Sequence, residues 1–264
     1  QVQLEFVNAA VQVASEHGYA FLLWTSPSED GEILRLTKEG LVEGLLLMEI
    51  RLHDPRVEML KALGYPFCMI GHTADNTGIS FVDFDFDAAA RLSIHHLYDL
   101  GHRDIACFIY SPYAIELGYG PAVRTGQGIA AACEELGLSP IVRICEANIE
   151  ATYQAALEVL QQYPSVTAAV FNSDLQSSGI LQAIRQRHLS VPEDFSVVAI
   201  TSSRFADLIA SPLTVVDLPA GEMGRIGTDM LIRRLEGGEP GSPTHLMLPP
   251  TLVLRQSTAP VRRR

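Results

Sequence analysis

The chain has 264 residues, of which 47% are hydrophobic and 19% are charged. This length allows one large or two modest domains, and so high an apolar fraction excludes a disordered chain. The formal net charge is −12 at pH 7, which argues against direct DNA binding because a DNA-binding surface needs several cations aligned on phosphates. The only basic run is at residues 262–264.

The cysteines and the apolar runs indicate a cytoplasmic protein. The four cysteines have no CxxC spacing, so we expect buried free thiols rather than disulfides or a zinc site. The sequence does not open with a signal peptide, and no apolar run is long enough to span a bilayer. No membrane partner is therefore expected.

Short apolar runs alternate with amphipathic stretches along the chain. The sequence begins inside an apparent helix, so we expect a longer native protein. Buried strands are predicted at residues 20–24, 44–48, 66–70, 105–110, 141–145, 168–171 and 196–200. Helices are predicted at residues 87–100, 125–136, 151–162 and 175–187. This alternation predicts parallel sheets with helices on both faces. Glycines at 18, 64, 101 and 137 are placed to end helices as left-handed caps.

These strands are too many for one such sheet, and the pattern divides near residues 111–121. That segment is rich in turn formers and predicts a connection plus a loop. A further strand is predicted at 213–219, a helix at 221–235 and an extended stretch at 244–254. Ligands of open α/β sheets bind at the carboxyl ends of the strands. Two such sheets that face each other would enclose a ligand-binding cleft.

Motifs for cofactor chemistry are absent from the sequence. There is no Walker loop, no Gly-x-Ser-x-Gly nucleophile elbow and no dinucleotide-binding glycine pattern. Asp83, Asp85 and Asp87 alternate with phenylalanines, which predicts a half-buried strand that runs into a helix N-terminus. A calcium loop would need more oxygen ligands. We therefore expect no metal, no cofactor and no enzyme activity.

Four segments resemble the lactose/galactose repressor family. Residues 95–106 (HHLYDLGHRDIA) resemble its HLLELGHRRIA segment, and residues 191–198 (VPEDFSVV) resemble VPEDVSVVG. Residues 211–216 (SPLTVV) are similar to PPLTTV, and residues 250–258 (PTLVLRQST) to the closing LVVRES. Each segment alone is a weak signal. Together they keep the family's order over nearly the whole chain, which makes the resemblance specific.

The resemblance implies a type I periplasmic-binding-protein-like fold, with two similar α/β lobes joined by three crossover segments. The N-terminal lobe would be residues 1–109 plus 219–245, and the C-terminal lobe 110–218 plus 246–264. The family's DNA-binding headpiece and its first strand are not in the sequence. The implied function is the effector-binding core of a homodimeric bacterial repressor that senses a sugar or sugar derivative and reaches operator DNA only through the headpiece. A periplasmic sugar-binding protein is the alternative, although the segments at 191–198 and 250–258 favour the repressor.

The resemblance also implies an arginine in the effector site. In the family, this arginine comes before the first C-lobe helix, three residues ahead of a glycine. With Gly128 as that glycine, Thr125 takes the arginine's position and Arg124 is its neighbour. A small shift in the preceding loop would restore Arg124 to the site. We favour Arg124 as a ligand-binding residue because a guanidinium suits paired hydroxyls and carboxylates.

Five further C-lobe positions are transferred from the family. Ser173 and Asp174 match its Asn-Asp pair, and Asp174 would also cap the helix that starts at residue 175. Thr201 and Ser202 stand where the family has two acids, and Ala147 stands where it has an aromatic residue.

Three N-lobe side chains are also expected near the ligand. His72 takes the position of a family arginine, Asp85 matches a family aspartate, and Trp24 ends a predicted strand on the cleft side. A core position is the alternative for Trp24. The family's two acids are missing here, whereas Arg124 and His72 are present. This combination shifts the expectation towards a ligand with a carboxylate or phosphate, or towards no natural small ligand. A sugar held by a rearranged set of groups stays open.

Overall fold

A computed structural model describes residues 2–25, 30–109, 111–207, 212–237 and 243–262. The helices are α1 (Val2–Glu16), α2 (Asp30–Lys38), α3 (Pro55–Leu63), α4 (Phe86–Asp99), α5 (Pro112–Glu116), α6 (Gly120–Leu136), α7 (Ile149–Gln162), α8 (Asp174–Gln186), α9 (Ser203–Ala206) and α10 (Ala220–Leu235). The strands are β1 (Leu45–Leu47), β2 (Phe67–Ile70), β3 (Phe81–Phe84), β4 (Ile105–Ile109), β5 (Ile141–Ile144), β6 (Ala168–Phe171), β7 (Ser196–Thr201), β8 (Thr214–Asp217), β9 (His245–Leu248) and β10 (Thr251–Val253).

The strands form two sheets. The four-stranded sheet has the order β1-β2-β3-β9 and is parallel throughout. The six-stranded sheet has the order β10-β8-β7-β6-β4-β5, and only its β10–β8 pair is antiparallel. The predicted α/β architecture, with two parallel sheets flanked by helices, is confirmed. No helix of the described residues is long and apolar enough to cross a bilayer.

The six-stranded sheet shows why its strands are continuous apolar runs. In β4, Ile105, Cys107 and Ile109 pack with α4 and α6 on one face, whereas Ala106 and Phe108 pack with α7 and α8 on the other. Both faces of the sheet are therefore buried. The side chains of a strand that is buried on both faces do not alternate between apolar and polar. The edge strand β5 has one covered face and alternates between half-buried and exposed residues.

A close approach of two helices depends on one glycine. A Cβ atom at Gly128 of α6 would lie 2.3 Å from the carbonyl oxygen of Asp87 in α4. Only glycine leaves room for this contact, which seals one face of the six-stranded sheet. The glycines at 18, 64, 101 and 137 all have positive φ, which confirms their predicted role at helix ends.

The chain crosses between the sheets three times, after β3, after β8 and after β9. The predicted N-lobe ended at residue 109, yet β4 pairs with β5 and β6 in the six-stranded sheet, and α4 packs on that same sheet. The boundary predicted after residue 245 falls inside β9, which pairs with β3. Both boundaries, which the family resemblance implied, were misplaced because matching sequence segments do not reveal which strand lies beside which.

Three other expectations differ from the structure. The strand predicted at residues 20–24 is not formed: residues 20–25 lie outside any strand, and Leu22, Leu23 and Trp24 are exposed. An apolar run forms a strand only where a neighbouring strand is available to pair with it. The predicted loop at 111–121 contains α5 and the start of α6. The stretch 244–254 is two strands, one in each sheet. Four positions named in the sequence analysis lie outside the described residues: 110 in a predicted strand, 211 in a family-like segment, and 263 and 264 in the basic run.

Candidate functional site

A cavity of about 340 Å³ lies between the two sheets, at the carboxyl ends of strands from both. From the four-stranded side it is lined by residues that follow β1 and β2, by β3 and by the first turns of α1. From the six-stranded side it is lined by residues at the ends of β5, β6, β7 and β8. Its polar lining includes Gln3, Glu49, Asp83, Asn172, Ser173, Asp174 and Thr201. The size and the mixed lining are those of a small-molecule site.

Two buried side chains of the cavity wall have unused hydrogen-bonding atoms. Thr201 ends β7 and is 2% exposed, and its Oγ1 has no partner among the described residues. Asn172 follows β6 and donates from Nδ2 to the Oγ1 of Thr125 at 3.2 Å. The Oδ1 of Asn172 is likewise buried without a described partner. Buried polar atoms are rarely left unpaired, so these two atoms point to a ligand or water in the cavity.

Arg124 joins the two sheets from beside the cavity and is not among the residues that line it. Its Nη2 donates to the carbonyl oxygen of His72 at 2.9 Å, and its Nη1 lies 3.9 Å from Oδ2 of Asp83. The guanidinium passes over Gly120, where a Cβ atom would be 2.3 Å from Nη1. Burial lowers the pKa of Arg124, and the nearby Asp83 and Asp85 oppose that shift. The predicted ligand-binding arginine therefore lies behind the wall, next to Asp83.

His72 and Asp85 do not line the cavity either. The Nδ1 of His72 lies 2.7 Å from Oδ2 of Asp83, and its ring stacks on Phe81. Asp85 caps α4 by accepting a hydrogen bond from the N–H of Ala88 at 2.9 Å. Asp83, two residues earlier, is the acid of this segment that faces the cavity. The strand is also buried along its whole length rather than half-buried as predicted.

The remaining predicted residues divide between the cavity and its surroundings. Ser173, Asp174 and Thr201 line the cavity, as does Ala147. Ser202 lies behind it and donates its hydroxyl hydrogen to Glu5 of α1, at 2.7 Å from Oε1 and 2.9 Å from Oε2.

The N-cap of α8 is Ser173 rather than Asp174. Both side chains accept a hydrogen bond from the N–H of Leu175, Asp174 at 2.9 Å and Ser173 at 3.3 Å. Trp24 is 40% exposed and is not part of the cavity wall. Residues 20–25 form no strand that would carry Trp24 to the cleft, so the structure gives no support to the prediction that it contacts the ligand.

Glu49 is a cavity residue that sequence reasoning missed. It follows β1 with φ of 56°, a left-handed conformation that costs a non-glycine residue about 1–2 kcal/mol. Arg56 holds this backbone by donating from Nη2 to the carbonyl oxygen of Glu49 at 2.9 Å. The carboxylate of Glu49 accepts a 3.5 Å hydrogen bond from Gln3, which also lines the cavity. Nothing in the sequence pattern signals a left-handed glutamate.

The charge of the lining differs from the sequence expectation. Among the described residues, the cavity wall contains three carboxylates, those of Glu49, Asp83 and Asp174, and no lysine, arginine or histidine. Arg124 and His72, on which the expectation of an anionic ligand depended, both lie next to Asp83, and Nη1 of Arg124 is buried without a hydrogen-bond partner among the described residues. The lining therefore gives no support to an anionic ligand.

Two lobes with parallel sheets and a ligand-sized cavity at their strand ends define a periplasmic-binding-protein-like molecule. Residues 94–258 match the Periplasmic binding protein-like domain family. The chain is 30% identical to the HTH-type transcriptional regulator CelR of Thermobifida fusca, over 92% of this chain and 72% of that protein. It is 29% identical to the HTH-type transcriptional repressor MelR of Bacillus subtilis, over 78% of this chain and 61% of MelR.

The solved structure of a transcriptional regulator CelR–cellobiose complex agrees with these matches. It superposes with a TM-score of 0.84 at 28% identity, over 96% of this chain and 78% of that one. The chain belongs to the lactose/galactose repressor family of transcription regulators, as its four sequence segments indicated. This membership places it with regulators rather than with sugar-transport proteins. The chain spans about three fifths to three quarters of the length of these curated relatives.

Proposed function

We propose that this chain is the effector-binding core of a bacterial transcriptional repressor that senses a sugar in the cavity between its two sheets. The observation that carries the proposal is the placement of two buried, unpaired polar atoms, Oδ1 of Asn172 and Oγ1 of Thr201, in the wall of that cavity. Family membership supplies the regulatory role, and the cellobiose complex of a similar structure supports a sugar as the class of effector.

The cavity is built so that an effector can bias the arrangement of the lobes. Its wall combines Glu49 and Asp83 from the four-stranded side with Asn172, Asp174 and Thr201 from the six-stranded side. A ligand that bonds to both sides stabilises one relative placement of the two sheets. The shift in the equilibrium between two such placements is set by the difference in the ligand's affinity for them. We propose these five residues as the ligand-contacting set, with Arg124 and Ser202 as links between the lobes behind it.

We propose that operator DNA is bound by a segment outside residues 1–264. The net charge of −12 repels a phosphate backbone, and the relatives are described as HTH-type regulators. We also propose a homodimer, since a two-fold operator is read by a two-fold protein, and a cytoplasmic location, where operator DNA is found. A strict monomer in sedimentation at micromolar concentration would count against the dimer.

The test uses the full-length protein and an operator selected from a random DNA library. Gel shifts with and without ribose, glucose, galactose or cellobiose should show an effect of at least one sugar on operator affinity. Asn172→Leu keeps the branching of the side chain and removes the unpaired acceptor together with the hydrogen bond to Thr125, so the variant should bind operator and lose the sugar response. Gln154→Leu, on the exposed face of α7, is the matched control and should behave as the wild type. Equal sugar responses in both variants, or specific DNA retardation by residues 1–264 alone, would refute the proposal.

A further inference from the structure

A second cavity, also of about 340 Å³, lies at the opposite end of the six-stranded sheet from the cavity between the two sheets. Its wall is built by the turn before β6, by residues at the ends of α7 and α8, and by Asp194, which lies two residues before β7. Arg262 of the C-terminal segment also lines it. No described residue lines both cavities. The second cavity has the volume of a small-molecule site and is separate from the site of the proposed sugar.

One part of the wall of the second cavity is apolar. Leu160 and Val166 belong to the buried cluster on one face of the six-stranded sheet, and Leu189 packs against that cluster. Tyr163, which follows α7, is exposed and lines the same cavity. An aliphatic or aromatic group of a ligand would be removed from water against these side chains, which favours binding.

The rest of the wall carries charges of both signs. Arg187 is exposed and has no ion pair or side-chain hydrogen bond with the described residues. The Nη1 of Arg262 lies 3.9 Å from Oδ1 of Asp194, which is too far for a hydrogen bond. The Oδ2 of Asp194 accepts from the N–H of Ser190 at 3.0 Å. Both guanidinium groups and Oδ1 of Asp194 are therefore available to a ligand.

A left-handed residue brings part of this wall together. His188 follows α8 with φ of 55°, whereas α3 and α6 end in this conformation at a glycine. A residue with a Cβ atom is strained there, and such strain is concentrated at binding sites. The turn at His188 places both of its neighbours, Arg187 and Leu189, in the wall of the second cavity.

The electrostatics of the second cavity favour a ligand that carries both charges. A purely anionic ligand would meet Asp194 and the C-termini of α7 and α8, which end beside the cavity and carry partial negative charge. A purely cationic ligand would meet the guanidinium groups of Arg187 and Arg262. A neutral polyol would gain little from the apolar part of the wall. A zwitterion with an apolar group satisfies all three features.

We propose that the second cavity binds an α-amino acid with an aliphatic or aromatic side chain. The carboxylate of the ligand pairs with Arg187 and Arg262, because a guanidinium fork matches a carboxylate. Its ammonium group donates to Asp194, and its side chain packs on Leu160 and Val166. Arg262 and Asp194 lie side by side, as do the two charged groups of an amino acid, which are bonded to one carbon. The chain then has a binding site for a second small molecule besides the sugar.

The test compares ligands that differ by one charged group, by calorimetry on the full-length protein. The amino acids are L-phenylalanine, L-leucine and L-tryptophan. Phenylpropionate, isocaproate and indolepropionate lack the ammonium group, whereas phenethylamine, isoamylamine and tryptamine lack the carboxylate. We expect at least one amino acid to bind with Kd below about 1 mM, and at least about tenfold more tightly than either of its analogues.

Two variants assign the charged groups of the ligand to their partners. Arg187→Gln should weaken the amino acid about tenfold and leave its amine analogue unchanged, because that analogue has no carboxylate. Asp194→Asn keeps an acceptor for the N–H of Ser190. It should weaken the amino acid about tenfold and leave the analogue without an ammonium group unchanged.

Matched controls lie next to both positions. Arg185→Gln removes an exposed arginine in the last turn of α8, and Glu193→Gln removes an exposed acid, and neither residue lines the second cavity. Both variants should bind the amino acid as the wild type does. Asn172→Leu alters the wall of the cavity between the sheets and should also leave amino-acid binding unchanged.

Three outcomes would overturn the proposal. The first is that none of the three amino acids binds. The second is that Arg187→Gln and Asp194→Asn bind the amino acid as tightly as the two control variants. The third is that Asn172→Leu abolishes binding, which would place the amino acid in the cavity between the sheets. The sugar response of the operator complex is a separate measurement, so the proposed function stands or falls independently of these results.

Discussion

Replacement of Thr201 by valine should stabilise the protein and weaken effector binding at the same time. The two side chains have the same shape, so the change removes the hydroxyl alone. The Oγ1 of Thr201 is buried and has no partner among the described residues. An unsatisfied buried hydroxyl costs about 1–3 kcal/mol, and water in the adjacent cavity reduces that cost to the lower end of the range.

We therefore expect Thr201→Val to raise the free energy of unfolding by about 1 kcal/mol. For a chain of 264 residues, this corresponds to an increase of about 2 °C in the unfolding midpoint. Effector affinity should fall about tenfold, since a hydrogen bond to the ligand is worth about 1–1.5 kcal/mol. Urea unfolding and calorimetry with the bound sugar measure the two quantities.

Thr214→Val is the matched control on the neighbouring strand. The Oγ1 of Thr214 accepts from the N–H of Arg255 at 3.0 Å and lies 3.2 Å from the hydroxyl of Thr258. Valine would leave that N–H without its threonine partner, so this variant should lose about 1 kcal/mol and keep its effector affinity. If Thr201→Val loses stability as Thr214→Val does, or binds the effector normally, the hydroxyl of Thr201 is structural and the reasoning fails.

Three further predictions follow from packing, burial and exposure. Gly128→Ala places a Cβ atom 2.3 Å from the carbonyl oxygen of Asp87. This variant should lower the free energy of unfolding by about 2–3 kcal/mol in urea. The control is Gly221→Ala, which has open space around its Cβ position and should be neutral or stabilising by up to ~1 kcal/mol. Burial lowers the pKa of His102, so the unfolded state takes up its proton first and the free energy of unfolding should fall as the pH drops below about 6.5. Urea titrations at pH 8 and pH 5 measure this loss, which should be smaller in His102→Gln. Trp24→Ser should leave effector affinity within about twofold in calorimetry, because Trp24 is outside the cavity wall; a tenfold loss would contradict its placement.

The sequence by itself determined most of the elements and the class of fold. A run such as Ile105–Ile109 is apolar at every position because both faces of its sheet are covered, and that property is visible without coordinates. Glycines after helical stretches marked helix ends because only glycine adopts positive φ without strain. The same pattern predicted a cleft at the strand ends, and the four family segments then indicated the two-lobed architecture and the regulator family.

The tertiary structure alone decided which polar side chains face the cavity. Sequence periodicity records how much of a face is buried, and it does not record which neighbour buries it. Asp83 rather than Asp85 reaches the cavity because Asp83 lies within β3, whereas Asp85 follows the end of that strand and caps α4. Arg124 turns away from the cavity because it bonds to a residue 52 positions earlier in the chain. Glu49 contributes its carboxylate through a left-handed backbone that Arg56 enforces. The placement of Arg124 depends on a contact between distant parts of the chain, and the other two depend on backbone geometry that the periodicity of apolar residues does not specify.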